Sequence, residues 1–112
     1  NVIGDVAGRS IIIRDDMIDT AGTICRAAES LKEKGALDIY VCCTHAVLSG
    51  NAIEKINNSP IKGLIVSDSI NGREKSLDGK FKVLSCANLF GEAIMRISGE
   101  KSVSSLFDDL PF

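Results

Sequence analysis

The stretch Ser10-Ile11-Ile12-Ile13-Arg14-Asp15-Asp16-Met17-Ile18-Asp19-Thr20-Ala21-Gly22-Thr23 decides the reading of this chain. Its opening Ser10-Ile11-Ile12-Ile13 is short, apolar and β-branched, as a strand buried in a parallel sheet would be. From Thr23 to Lys34 the pattern changes to a helix. Ile24, Ala27, Ala28 and Leu31 fall at i, i+3, i+4 and i+7, while Arg26, Glu29, Lys32 and Glu33 lie largely off that stripe. Gly35 follows as a helix stop.

The same rhythm continues along the chain. Residues 38–44 are apolar on both faces and read as a second strand, 45–50 as a connection, and 51–57 as a short helix ended by Ser59-Pro60. Residues 63–67 read as a third strand, 68–80 as a polar loop, 81–85 as a fourth strand and 87–97 as a helix. The tail from Ser102 allows a short helical turn at 105–108. Strands alternating with helices imply an α/β fold, a Rossmann-like open parallel sheet with helices on both faces and right-handed crossovers.

Composition fits one soluble globular domain. The chain has 112 residues, 45% hydrophobic and 25% charged, with a formal net charge of −2. A charge so close to zero gives no electrostatic argument for nucleic acid or an anionic membrane. No apolar run approaches the ~20 residues that span a bilayer, and no basic-then-apolar leader is seen. A cytoplasmic protein is the expectation. Cys25, Cys42, Cys43 and Cys86 fit neither a zinc pattern nor a disulfide framework, so buried reduced thiols are expected. A strand should send the neighbours Cys42 and Cys43 to opposite faces. A chain that opens at Asn1 and runs almost at once into a strand-and-loop motif reads as a piece of a longer one.

In an open parallel sheet, ligands bind beyond the carboxyl ends of the strands near a topological switch point. Residues 15–23 are expected at such an end. Asp19-Thr20-Ala21-Gly22-Thr23 brings small residues and hydroxyls to the start of a helix, where unpaired N–H groups and the helix dipole favour an anion. No Gly-Lys-Ser/Thr ending marks a nucleotide triphosphate grip, so a single phosphate monoester suits the loop better. Asp15 and Asp16 can accept hydrogen bonds from a vicinal diol or hold a hydrated magnesium ion beside it. A phosphate site and a diol site in one loop describe a pentose phosphate. The spacing equally allows Asp19 or Thr20 merely to cap the helix, with Asp15 and Asp16 solvated.

Asp15-Asp16-Met17-x-Asp19-Thr20-x-Gly22-Thr23 resembles the signature of type I phosphoribosyltransferases in the form carried by ribose-phosphate pyrophosphokinases (phosphoribosyl pyrophosphate synthetases). Gly4-Asp5-Val6-x-Gly8-Arg9, Thr44 to Gly50, Asn57-Asn58-Ser59, Ser67 to Ile70 and Glu100 to Phe107 match too, so the resemblance covers essentially the whole chain. It implies the C-terminal part of one phosphoribosyltransferase-like domain, spanning 1–112, with the remainder of the enzyme upstream and the sheet incomplete.

The reaction implied by the resemblance transfers diphosphate from ATP to the C1 hydroxyl of ribose 5-phosphate, giving phosphoribosyl pyrophosphate and AMP with Mg2+. Asp15 and Asp16 would contact the ribose hydroxyls; Asp19, Thr20, Ala21, Gly22 and Thr23 would enclose the 5-phosphate. The adenine-binding segment, basic catalytic loop, magnesium-binding histidine and pyrophosphate loop of such enzymes lie upstream, so no catalytic residue or metal ligand set is assigned here. Ser102, Val103, Ser104 and Phe107 match a regulatory phosphate or ADP site at a subunit interface of a homo-oligomer, commonly a hexamer. One departure is Arg14, where the family usually has an apolar residue. A catalytically silent synthetase-associated protein, a phosphoribosyltransferase and a phosphoacceptor receiver domain are the alternatives. His45 and the Ser67-Asp68-Ser69 turn share the expected ligand edge, where a supporting role and a plain structural one both fit.

Overall fold

The computed structural model describes residues 4–71, 77 and 79–108. Four strands, β1 (Ile11–Ile18), β2 (Ile39–Ala46), β3 (Ile61–Ser67) and β4 (Phe81–Leu84), form one sheet in the order β1-β2-β3-β4. Every pairing is parallel. Helices α1 (Gly22–Glu33) and α2 (Ala52–Asn57) make the β1–β2 and β2–β3 crossovers. After β4 come α3 (Ala87–Ser98) and the 3-10 turn η1 (Ser104–Phe107). The α/β class and parallel sheet are those expected. Part of the 68–80 loop, and the tail beyond 108, lie outside the described residues.

Strand period and helix period meet in one core. Ile39, Val41 and Cys43 of β2 alternate with Tyr40 and Cys42, and the first set is buried with Leu64 and Val66 of β3 and Phe81 of β4. Ile24, Cys25, Ala28 and Leu31 of α1 and Ala52 and Ile56 of α2 cover that face. Ala27, expected in the α1 stripe, is exposed and Cys25 replaces it. Cys25 borders the groove between α1 and α2, so the stripe turns toward its helical neighbour. The other sheet face is less covered, with Ile12 at 70% exposure and Leu84 at 52%. Cys25 and Cys43 are buried free thiols, and Cys42 and Cys86 are half-buried. Burial pushes the thiols of Cys25 and Cys43 above the usual range.

Two boundaries differ from expectation in a way that matters for the site. β1 does not stop at Ile13 but runs to Ile18, so Asp15 and Asp16 are strand residues. β1 pairs only with β2 among the described residues, and an edge strand can carry exposed charges without burying them. β2 likewise runs through His45 to Ala46. The order of these four strands is sequential, so within them no reversal marks a switch point.

Candidate functional site

Residues Asp15, Met17 to Thr23 and Ile24 line an open cleft of about 280 Å³ where β1 gives way to α1. All of Asp15, Asp19, Thr20, Ala21, Gly22 and Thr23 from the sequence reading meet there; Asp16 lines an adjoining opening with Arg14, Asp15 and Thr44. Ala21 occupies the position before the first helical residue and makes no side-chain cap. Neither Asp19 nor Thr20 is the capping residue. Ala21 instead adopts a left-handed conformation, φ 68° and ψ 2°, with its side chain buried. A non-glycine residue held there costs on the order of 1–3 kcal/mol, and such strain gathers at ligand sites. The turn aims the start of α1 at the cleft, and its carbonyl still accepts from Cys25 N at 3.1 Å.

The carboxylates divide their work. The backbone N–H of Asp16 donates to Asp15 Oδ1 at 2.8 Å. Hydrogen bonding with the Asp15 side chain, helped by the Met17 amide and more weakly by His45, holds the Asp16 carboxyl below its ordinary range. Both residues are exposed, so their remaining lone pairs can meet a diol or a hydrated cation. Asp19 differs: its Oδ1 accepts the Ser49 hydroxyl. A carboxylate so engaged adds an acceptor, not a donor, beside a phosphate, so Asp19 can serve an anion only through its backbone N–H.

The neighbouring strand ends support this loop. Leu48 N donates to Ile18 O and Ser49 N to Asp19 O, each at 2.9 Å. His45 Nδ1 lies 2.8 Å from Ser69 Oγ. Ser67 Oγ and Ser69 Oγ both donate to Thr44 O, at 2.6 and 3.2 Å. Asp68 faces the next helix, its Oδ1 accepting from Cys86 N at 2.8 Å and Cys86 Sγ at 3.0 Å. These bonds lower the Asp68 pKa to about 2 and raise the Cys86 thiol. Arg14 stays exposed and borders both the Asp15–Asp16 opening and an apolar groove with Cys42, Ile65 and Leu84.

The tail forms a second polar cluster. Ser102 Oγ and Ser104 Oγ are 2.9 Å apart, and Phe107 at the end of η1 is half exposed. Arg96 of α3 binds Ser102 O at 3.2 Å and the Ser105 hydroxyl, and pairs with Glu92 at 3.0 Å. Glu92, Met95, Arg96, Lys101, Ser102 and Ser105 surround an opening of about 360 Å³. Sequence reasoning missed Arg96; the only signal was a cation on the helix leading into a serine-rich turn. Of the tail residues singled out in the sequence, Ser102 borders this opening and Val103, Ser104 and Phe107 do not.

No group of three or more His, Cys, Asp or Glu residues able to hold a metal ion occurs among the described residues. No helix among them is long and apolar enough to cross a membrane.

Comparison with known proteins places this geometry in a family. A ribose-phosphate pyrophosphokinase of Bordetella pertussis is 56% identical over 110 residues, covering 97% of this chain and 36% of the relative. One from Staphylococcus saprophyticus is 55% identical over 108 residues, 96% of this chain and 34% of the relative. The crystal structure of phosphoribosylpyrophosphate synthetase from Mycobacterium smegmatis superposes with a TM-score of 0.84 at 36% identity, covering 88% of this chain and 33% of that one. The chain thus spans about a third of the length of the relatives it matches. Residues 1–108 match the model of the phosphoribosyl synthetase-associated domain, and the chain belongs to that family.

Proposed function

We propose that this chain is the C-terminal part of a ribose-phosphate diphosphokinase and supplies its ribose 5-phosphate loop. The observation that carries the reading is the cleft at the β1–α1 junction, where Asp15 and the whole Asp19–Thr23 loop converge. The start of α1 and the hydroxyls of Thr20 and Thr23 suit a dianionic phosphate. Asp15 and Asp16 suit the ribose hydroxyls.

Transfer of diphosphate from ATP then breaks the α–β phosphoanhydride, joins the C1 oxygen to the β-phosphorus and releases AMP. Such a step rests on in-line positioning and charge neutralisation. Mg2+ would supply that neutralisation. The exposed carboxylate pair Asp15 and Asp16 would fit an ion that keeps waters and shares its coordination with substrate phosphates. This chain's own contribution is to bind and orient the acceptor sugar. The ATP site and the basic catalytic loop belong to the upstream part, in a cytoplasmic homo-oligomer. Ser102, Val103, Ser104 and Phe107, with Arg96, form its phosphate or ADP effector site.

The test is calorimetric titration with ribose 5-phosphate. The parent protein should bind saturably, and Thr20→Ala with Thr23→Ala should abolish the binding. A folded protein that ignores the ligand would sink the reading. The 112-residue chain alone should form no AMP. A second reading, a silent subunit that works by assembling with active synthetases, is favoured by the family's description as synthetase-associated. AMP formation by the full-length protein excludes it.

A further inference from the structure

Three consecutive carbonyls of the β1–α1 loop accept hydrogen bonds from one segment, the connection between β2 and α2 together with α2 itself. Ile18 O takes Leu48 N and Asp19 O takes Ser49 N, both at 2.9 Å. Thr20 O takes the Lys55 ammonium at 3.4 Å. The Ser49 hydroxyl adds a bond to the Asp19 carboxylate. The donor segment is itself shaped for the task. Leu48 is buried in a left-handed conformation at φ 49°, and Gly50 follows at φ 60°.

From this pattern we infer that Ser49 and Lys55 are positioning residues for the phosphate cradle, an inference that rests on the sugar-phosphate reading above. A trans peptide sends its N–H opposite its C=O, and the chain has no cis bond among the described residues. With the carbonyls of 18, 19 and 20 drawn toward the β2–α2 segment, the amides of Asp19, Thr20 and Ala21 face the other way, toward the cleft these residues line. Loops that bind phosphate through backbone N–H groups need this alignment before the ligand arrives. Ser49 has a second effect. It occupies an oxygen of the Asp19 carboxylate, the one fixed negative charge within the five-residue loop, and restrains it from swinging against the phosphate. Lys55 brings a cation to the back of the same loop without entering the cleft.

The experiment measures affinity for ribose 5-phosphate and for inorganic phosphate in the full-length protein, by calorimetry and phosphorus NMR respectively. Ser49→Ala should weaken both by the same factor, about tenfold, the lower end of what hydrogen bonds behind the direct contacts contribute at metal sites. Lys55→Met should weaken both by a smaller factor. Ser49→Thr and Lys55→Arg should restore binding, and the thermal midpoint should hold in all four. Wild-type affinities in Ser49→Ala and Lys55→Met would overturn the inference. So would a loss confined to ribose 5-phosphate with phosphate untouched, because the residues would then act on the sugar end. Lys55 is exposed, so its variant carries the test even where Ser49→Ala fails to fold. A wild-type protein that binds phosphate but not ribose 5-phosphate would defeat the functional reading while the phosphate series still judged the cradle.

Discussion

The β1–α1–β2–α2 end of the molecule and the α3–η1 end are built on opposite principles. In the first, α1 and α2 bury Ile24, Ala28, Leu31, Ala52 and Ile56 against the sheet. In the second, α3 has an apolar face with no buried residue, and Met95 is 70% exposed. What holds α3 in the described contacts is polar: Asp68 at its start and Arg96 bonded to the serine turn at its end. Apolar burial is the main source of folding free energy. The end that carries the β1–α1 loop is therefore stabilised by the core, while the end that carries the serine cluster depends on a few hydrogen bonds at or near the surface. A loop that stores strain, as at Ala21, needs the first kind of support; an element held by the second kind opens at lower free energy.

The largest expected effect would sharpen this contrast directly. Ile39 is fully buried, and Ile39→Ala should cost about 3–4 kcal/mol in urea denaturation. Ile94→Ala on the open face of α3 should change stability by no more than about 0.5 kcal/mol. Equal losses at the two sites would break the contrast. An intermediate effect is expected at Ala21. A β-branched valine forced to its positive φ should destabilise by about 2 kcal/mol and abolish ribose 5-phosphate binding. A variant that kept its affinity would show that the left-handed turn is incidental to the site.

The smallest effect belongs to Asp68. Its folded pKa, about 2, lies below the ordinary 3.8, so ionisation favours the state in which it caps α3. That contribution is complete above the unfolded value and is lost as pH falls from there through about 2. Amide exchange in the first turn of α3, corrected for intrinsic rates, should therefore accelerate across that window. The acceleration should vanish in Asp68→Asn. The same profile in both would assign the docking of α3 to something other than this carboxylate.

Much of the fold was legible because strand and helix periods are clean here. The β-branched runs, the Gly35 stop and the Pro60 break each mark a change of period, and the sheet follows them. The cleft-lining loop was legible for a chemical reason: carboxylates, hydroxyls and a glycine sit together where an apolar strand meets a helix. The misplaced end of β1 has an equally physical cause. Arg14-Asp15-Asp16 would terminate a strand buried on both sides, whereas β1, paired only with β2 among the described residues, keeps that pairing through them. Nothing local announces that Ala21 takes a left-handed turn, because alanine has no intrinsic preference for it. The turn is imposed by the packing of Ala21 and by the bonds that hold residues 18–20. Ser49, Lys55 and Arg96 were invisible as partners because their contacts lie 6 to 35 positions away in sequence.

The charged half of β1 has one more consequence. Among the described residues β1 forms the sheet margin, with an apolar first half, Ile11 to Ile13, and a charged second half, Arg14 to Asp16. A uniformly apolar margin would recruit strands from other molecules into intermolecular sheets. Like charges brought into register between two such margins would repel. Along the margin that β1 forms among the described residues, the carboxylates proposed to meet a sugar would thus also oppose edge-to-edge pairing, and valines in their place would favour it.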